Sequence, residues 1–156
     1  MVISGLSVRL ATIAERGALE ALQWRASLVW EEYREALLAH PDAIELPSEQ
    51  ISEGRTLVAV LESTIAGFAV VLPRDDGDAD LDGLFVEPDM WRMGIGTRLI
   101  REAEALAARE GADSLHVVAN PLAEGFYVAC GFLKIGEEST HFGAALSMRR
   151  PLKGIG

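Results

Sequence analysis

Cysteine is nearly missing from this sequence: Cys130 is the only one in 156 residues. No intrachain disulfide can form, so the fold must stand on its apolar core, and a reducing compartment, the cytoplasm, is the expected setting. Basic charge is short as well. There are 14 Lys and Arg against 24 Asp and Glu, a formal net charge of −10. A nucleic-acid-binding surface needs a basic patch, and none is visible. The acidity fits solubility first and a mild steering of cationic partners second. No apolar run reaches the length of a membrane span. The stretch "MVISGLSVRLATIAERG" lacks the basic start and long apolar run of a signal peptide. No set of His, Cys and Asp has metal-ligand spacing, so no metal is expected. Internal repeats and low-complexity tracts are also absent.

What is there is aliphatic. Hydrophobic residues make up 49% of the chain and aromatics only 6%. A chain of this size is expected to form one domain over residues 1–156 and to bury roughly 68–70% of its unfolded surface. "SVRLAT" (7–12) alternates as a first strand. Leu19, Leu22, Ala26, Val29, Tyr33 and Leu37 keep helical spacing, predicting one helix over 18–39 that "HPD" ends. "RTLVAVLES" and "TIAGFAVVLP" read as a hairpin turning near Ser63–Thr64. "RDDGDAD" (74–80) reads as a polar loop and "LDGLFV" (81–86) as a fourth strand. A helix over 94–110, the buried-type strand "SLHVVA", a helix from Pro121 to Cys130 stopped by Gly131, and two closing strands complete the pattern. The order β-α-β-β-β-α-β-α-β-β predicts a mixed α/β sheet with a locally parallel pair flanking the helix that begins near Gly94.

The chemistry concentrates in "VEPDMWRMGIGTRLI" (86–100), where a strand gives way to a proline turn, two glycines and a helix. A phosphate-binding Walker motif needs Lys-Ser/Thr after its second glycine, and here Thr97-Arg98 follow Gly96. The dinucleotide fingerprint needs a third glycine at the place held by Leu99. What remains is a run of backbone N–H groups from Arg92 to Thr97 at a helix N-terminus, which suits a pyrophosphate, with Arg92 and Arg98 adding charge. On this stretch alone, a tight turn that simply requires glycine explains the residues equally well.

A second stretch, "NPLAEGFYVACGF" (120–132), tips the balance. Together the two resemble the GNAT superfamily of acetyl-coenzyme-A-dependent N-acetyltransferases. The family's Arg/Gln-x-x-Gly-x-Gly/Ala motif corresponds to Trp91-Arg92-Met93-Gly94-Ile95-Gly96. Its Asn-x-x-Ala-x-x-Phe-Tyr-x-x-x-Gly-Phe motif is met by Asn120, Ala123, Phe126, Tyr127, Gly131 and Phe132. More narrowly, the sequence is similar to a bacterial subgroup whose members mostly lack an assigned acceptor. The resemblance implies that the fourth and fifth strands splay apart around the pantetheine arm of acetyl-coenzyme A. Backbone groups of Leu84, Phe85 and Val86 would pair with the arm, residues Trp91 to Thr97 would cradle the phosphates, and Asn120, Phe126 and Tyr127 would border the same ligand. Asn120 reads equally as an N-cap before Pro121. Trp91 departs from the usual Arg or Gln and removes one polar contact with phosphate. Leu115 stands where the branch that acetylates ribosomal-protein N-termini carries a glutamate, which argues against that mechanism.

N-acetyl transfer to an amine needs a base to free the lone pair, a donor for the developing oxyanion and an acid for the departing thiolate. The resemblance places Tyr127 as the acid and the backbone around Val86 as the donor. α-Helical spacing from Asn120 to Tyr127 predicts two turns along one face. For the base, Asp80 and Asp82 share strand parity with Leu84 and Val86, and two close carboxylates can raise each other's pKa. A solvated acidic loop explains Asp80 as well. Glu87 is a third candidate that reads more simply as solvated, and His116 reads as a satisfied core histidine. Trp24, Arg25 and His141 are candidates for the acceptor side, with Arg25 suited to a carboxylate-bearing acceptor. The alternative class is a non-catalytic acyl-coenzyme-A-binding module. No residue identifies the amine, small molecule or peptide, and a homodimer is compatible with the family.

Overall fold

The computed structural model describes residues 4–140 and 143–152. Seven strands form one mixed sheet: β1 (Leu6–Leu10), β2 (Thr56–Leu61), β3 (Thr64–Pro73), β4 (Ala79–Val86), β5 (Ser114–Ala119), β6 (Leu133–Thr140) and β7 (Gly143–Pro151). Their order is β1-β2-β3-β4-β5-β7-β6. Five α-helices accompany them: α1 (Arg16–Leu28), α2 (Glu31–Ala39), α3 (Ser48–Ser52), α4 (Ile95–Arg109) and α5 (Glu124–Ala129). The expected parallel pair is present, with Ala79 opposite Leu115 and Asp80 opposite His116. Among the described residues no helix is long and apolar enough to cross a membrane.

Two compact units make up the chain. The first comprises Met1–Val70 and Gly83–Glu102, the second Val71–Asp82 and Ala103–Gly156. In the first, the aliphatic stripe of α1 (Leu19, Leu22 and Ala26) is buried, as are Leu37, Val58, Phe68, Ile95 and Leu99. This burial is what fixes the helices, because apolar area removed from water is worth about 25 cal/mol per Å². The β2–β3 hairpin closes on Glu62 and Ser63, both with positive φ (48° and 71°). Two left-handed residues match the twist of paired strands, although neither residue is a glycine. In the second unit Leu115, Met148 and Phe132 are almost fully buried.

Three expectations need correction. The helix expected over 18–39 is two helices. Trp30 is extended (φ −80°, ψ 111°) between them. Its carbonyl accepts the first bonds of α2, from Tyr33 and Arg34, and the Arg34 side chain satisfies the Leu28 carbonyl that α1 leaves open. The apolar spacing continues through this break and so conceals it. The stretch 121–130 is a 3-10 turn over Pro121–Ala123 followed by α5, so the two-turn α-helical alignment of Asn120 with Tyr127 does not hold. Finally, Ala79 and Asp80 belong to β4 rather than to the loop, and α3 was not expected at all.

Glycine matters most at two positions. A Cβ on Gly67 would lie 2.7 Å from the Phe85 carbonyl oxygen and 3.1 Å from Leu99 Cδ1, so β3 meets the end of β4 without room for a side chain. Gly131 has φ 98°, closes α5 as expected, and lies directly under the Arg150 guanidinium, which a Cβ would strike. That guanidinium is paired with Glu104 at 3.1 Å, both side chains being largely buried.

Gly67→Ala should therefore destabilise the protein by about 1–3 kcal/mol, the usual penalty for overpacking against immovable backbone. A urea denaturation midpoint checks this; an unchanged midpoint would show that the close approach is relieved at no cost.

Candidate active site

The first unit holds the end of β4 and the glycine turn. Leu84, Phe85 and Val86 are half-buried on the last residues of β4, with Phe85 packed on Phe68 at 5.2 Å between ring centroids. The Val86–Glu87 peptide is engaged at both ends. The Glu87 N–H donates to the Ala66 carbonyl at 2.8 Å, and the Val86 carbonyl accepts from Trp91 Nε1 at 2.8 Å. Of the backbone expected to pair with a ligand, the Val86 carbonyl thus already carries one bond, and the Glu87 N–H is committed to β3.

Next comes a 3-10 turn over Pro88–Met90, then the glycine turn itself. Arg92 and Gly94 take left-handed φ values of 67° and 87°. Arg92, Met93, Gly94 and Thr97 are exposed, while Ile95 is buried and anchors the helix. The N–H of Arg98 donates to the Gly94 carbonyl at 3.0 Å. The N–H groups of Ile95, Gly96 and Thr97 precede that bond and have no acceptor within the helix. Together with the helix dipole they suit an anion, as the sequence suggests. A non-glycine residue in the left-handed region costs on the order of 1 kcal/mol and tends to occur at functional sites.

Arg25 and Glu87 were expected separately, one facing an acceptor and one solvated. They are partners. The Arg25 fork grips both carboxylate oxygens of Glu87 at 2.8 and 2.7 Å. Hydrogen bonding from Arg25 holds the Glu87 carboxyl below its usual range, which makes it a weaker base. The pair is 62 residues apart in sequence, and nothing in local pattern links its members. Trp24 is half-buried on α1, and Trp30 packs against Trp91 at 5.8 Å. His141 lies outside the described residues.

The second unit holds Asp80, Asp82 and Tyr127. Asp80 is bound by Arg74 at 2.9 Å, so it is part of an ion pair rather than a solvated loop. Asp82 is exposed by area, yet enough protein surrounds its carboxyl that burial raises its pKa, and the neighbouring charge of Asp80 raises it further. Asn120 caps its 3-10 turn, Oδ1 accepting from the Leu122 N–H at 2.8 Å. Tyr127 is buried, edge-on to Phe126 at 5.2 Å and to Phe132 at 5.4 Å. The Phe132 N–H donates to the Tyr127 carbonyl at 3.0 Å. Phe126 is exposed and Cys130 is buried. Leu115 is fully buried, and His116 is satisfied by Asp78 at 2.8 Å, as expected.

One grouping was missed. Asp76, Asp78 and His116 offer ligand atoms within 4.8 Å of one another. The parallel pairing of Asp80 with His116 brings them together, a register that no spacing in the sequence reveals. Arg74 already binds Asp76 at 3.1 Å and holds its carboxyl below the usual range, so the group reads as an ion-pair network.

The sequence model of the acetyltransferase (GNAT) family matches residues 21–132. That is more than half of the chain, and the chain belongs to this family. Its fold is similar to that of a GCN5-related N-acetyltransferase from Rhodopseudomonas palustris, at 25% identity and a TM-score of 0.75, with 97% of this chain and 99% of that one covered. It is also similar to PaiA N-acetyltransferase from Thermoplasma acidophilum, solved in complex with coenzyme A, at 22% identity and a TM-score of 0.75 over 94% and 98%. The ribosomal-protein-S18-alanine N-acetyltransferase from Escherichia coli shares the fold at 19% identity and a TM-score of 0.70 over 97% and 96%. No curated protein matches the sequence.

The two carboxylates have opposite signs in stability. Glu87, held low, adds stability that is present above the unfolded glutamate range and is lost as pH falls through its folded value. Asp82, raised, favours the fold only below the unfolded aspartate range, and that contribution is lost as pH rises through its folded value. Carboxyl NMR titration should therefore find Asp82 above and Glu87 below their ordinary ranges. Arg25→Met should move Glu87 upward and lower stability at pH 7, while Asp82→Asn should leave stability at pH 7 unchanged or raised. Ordinary titration of both groups would refute this account.

Proposed function

We propose that the protein transfers an acetyl group from acetyl-coenzyme A to a primary amine. The observation that carries this reading is the turn Trp91–Thr97, with Arg92, Met93, Gly94 and Thr97 exposed, opening a helix whose first N–H groups lack intrahelical acceptors, in a chain of the acetyltransferase family. Those donors, with Arg92, would hold the pyrophosphate. The Leu84 and Phe85 backbone and the remaining groups of Val86 would meet the pantetheine arm; the family resemblance assigns Asn120, Phe126 and Tyr127 to acetyl-coenzyme A as well. Coenzyme A in the Thermoplasma acidophilum structure and acetyl-coenzyme A in a putative streptothricin acetyltransferase from Bacillus anthracis agree with this ligand.

Bound, acetyl-coenzyme A would supply the acetyl group as an activated thioester. An alkylamine with a pKa near 10.4 is protonated at neutral pH, and freeing its lone pair costs roughly 4–5 kcal/mol. Asp82 is the favoured base. Its raised pKa brings it closer to the working pH, whereas Arg25 makes Glu87 a poorer acceptor and Arg74 engages Asp80. The Val86 N–H is the favoured donor for the carbonyl oxygen, because the Glu87 N–H is spent on Ala66. Tyr127 would return a proton to the departing sulfur. Leu115 in place of a glutamate favours acceptors other than a ribosomal-protein N-terminus.

Free-thiol release from acetyl-coenzyme A across a panel of amines tests the activity. Asp82→Asn should lower turnover about 10²–10⁴-fold while sparing cofactor affinity. Binding without turnover toward any amine would leave a non-catalytic acyl-coenzyme-A-binding module.

Tyr127→Phe should spare folding and cofactor binding and slow transfer, and the loss should shrink when the acyl donor has a more acidic thiol. Equal losses with both donors would make Tyr127 a substrate-positioning group rather than an acid.

A further inference from the structure

Trp91 occupies the motif position at which the family carries Arg or Gln, and it faces inward. Its indole N–H donates to the Val86 carbonyl, five residues back, and its ring packs on Trp30. In a trans peptide the N–H and C=O point in opposite directions. Because the Glu87 N–H points at Ala66 on β3, the Val86 carbonyl points to the other edge of β4, and Trp91 covers an acceptor there. Trp30 is the extended residue between α1 and α2. A second tie runs in parallel: Arg25, one turn before the end of α1, grips Glu87 directly after β4. The α1–α2 elbow is therefore joined twice to residues 86–91, which lead straight into the left-handed Arg92 and the start of α4.

We propose that Trp91 is a positioning residue of the cofactor turn, fixing the end of β4 through the Val86 carbonyl and passing the state of the turn to the α1–α2 elbow through Trp30. This rests on the acetyl-coenzyme-A reading above. A phosphate-facing Arg or Gln would hold the ligand directly; Trp91 instead fixes the end of the strand whose preceding backbone groups the ligand would meet. The ring contact gives the elbow a reason to respond, since ordering the turn removes freedom from Trp91 and hence from its partner.

Two variants separate the two contacts. Trp91→Phe keeps a ring and removes the N–H donor. It should weaken acetyl-coenzyme A binding about 3- to 10-fold by calorimetry, the scale of one net hydrogen bond. Trp30→Leu keeps the donor and removes the aromatic partner. Amide hydrogen exchange over residues 28–34 should slow when acetyl-coenzyme A is added to the wild type, and should respond little in a Trp30→Leu variant that still unfolds cooperatively. A merely structural tryptophan pair would leave that ligand-dependent difference in place. Wild-type affinity in Trp91→Phe, or an unaltered elbow response in Trp30→Leu, overturns the proposal while the cofactor reading stands. Failure of the wild type to bind acetyl-coenzyme A would instead overturn the cofactor reading, and this proposal with it.

Discussion

The peptide between Val86 and Glu87 is the constraint on which the first unit depends. One end of it is tied to Ala66 and the other to Trp91. Gly67, next to Ala66, has no side chain because the carbonyl of Phe85 fills that space. The strand end is thereby fixed in depth and in rotation before any ligand arrives. An active site gains from such preorganisation, because groups already in place need no ordering when charge develops. The Arg25–Glu87 pair adds to this rigidity and makes Glu87 a weaker base.

The opposing treatment of the acidic residues shows how one strand can divide its chemistry. Asp80 and Glu87 are each matched with an arginine. Asp82, between them in sequence, is matched with none among the described residues, and burial and the Asp80 charge raise its pKa. Two of the three acidic groups are thus neutralised by a partner, while the third is held in a setting that disfavours its charge.

Much of the fold was legible because it is written in short-range pattern. The alternation of β2 and β3, the apolar run of β5, the glycines before α4 and the stop at Gly131 need no knowledge of distant partners. The break at Trp30 was not legible, since Leu22, Ala26, Val29, Tyr33 and Leu37 keep helical spacing across it, and the residue that Trp30 packs against lies 61 positions on. Arg25 and Glu87 were each noticed and given roles, but their pairing depends on tertiary approach. The same holds for Asp78 and His116, which the parallel register of β4 and β5 brings together. Residue types announced the chemistry; the fold decided which groups were already spoken for.

Gly131 answers to two unrelated demands. Its φ of 98° disfavours most side chains on conformational grounds, and a Cβ would also require the Arg150 guanidinium, paired with Glu104, to move aside. An asparagine could meet the first demand and fail the second; shortening Arg150 would relieve the second, leave the first untouched and strand Glu104 without its partner. A replacement there would have to satisfy the backbone and spare the Arg150–Glu104 pair together, so the corner that carries Tyr127 is held by the scarcity of its alternatives as much as by the strength of its contacts.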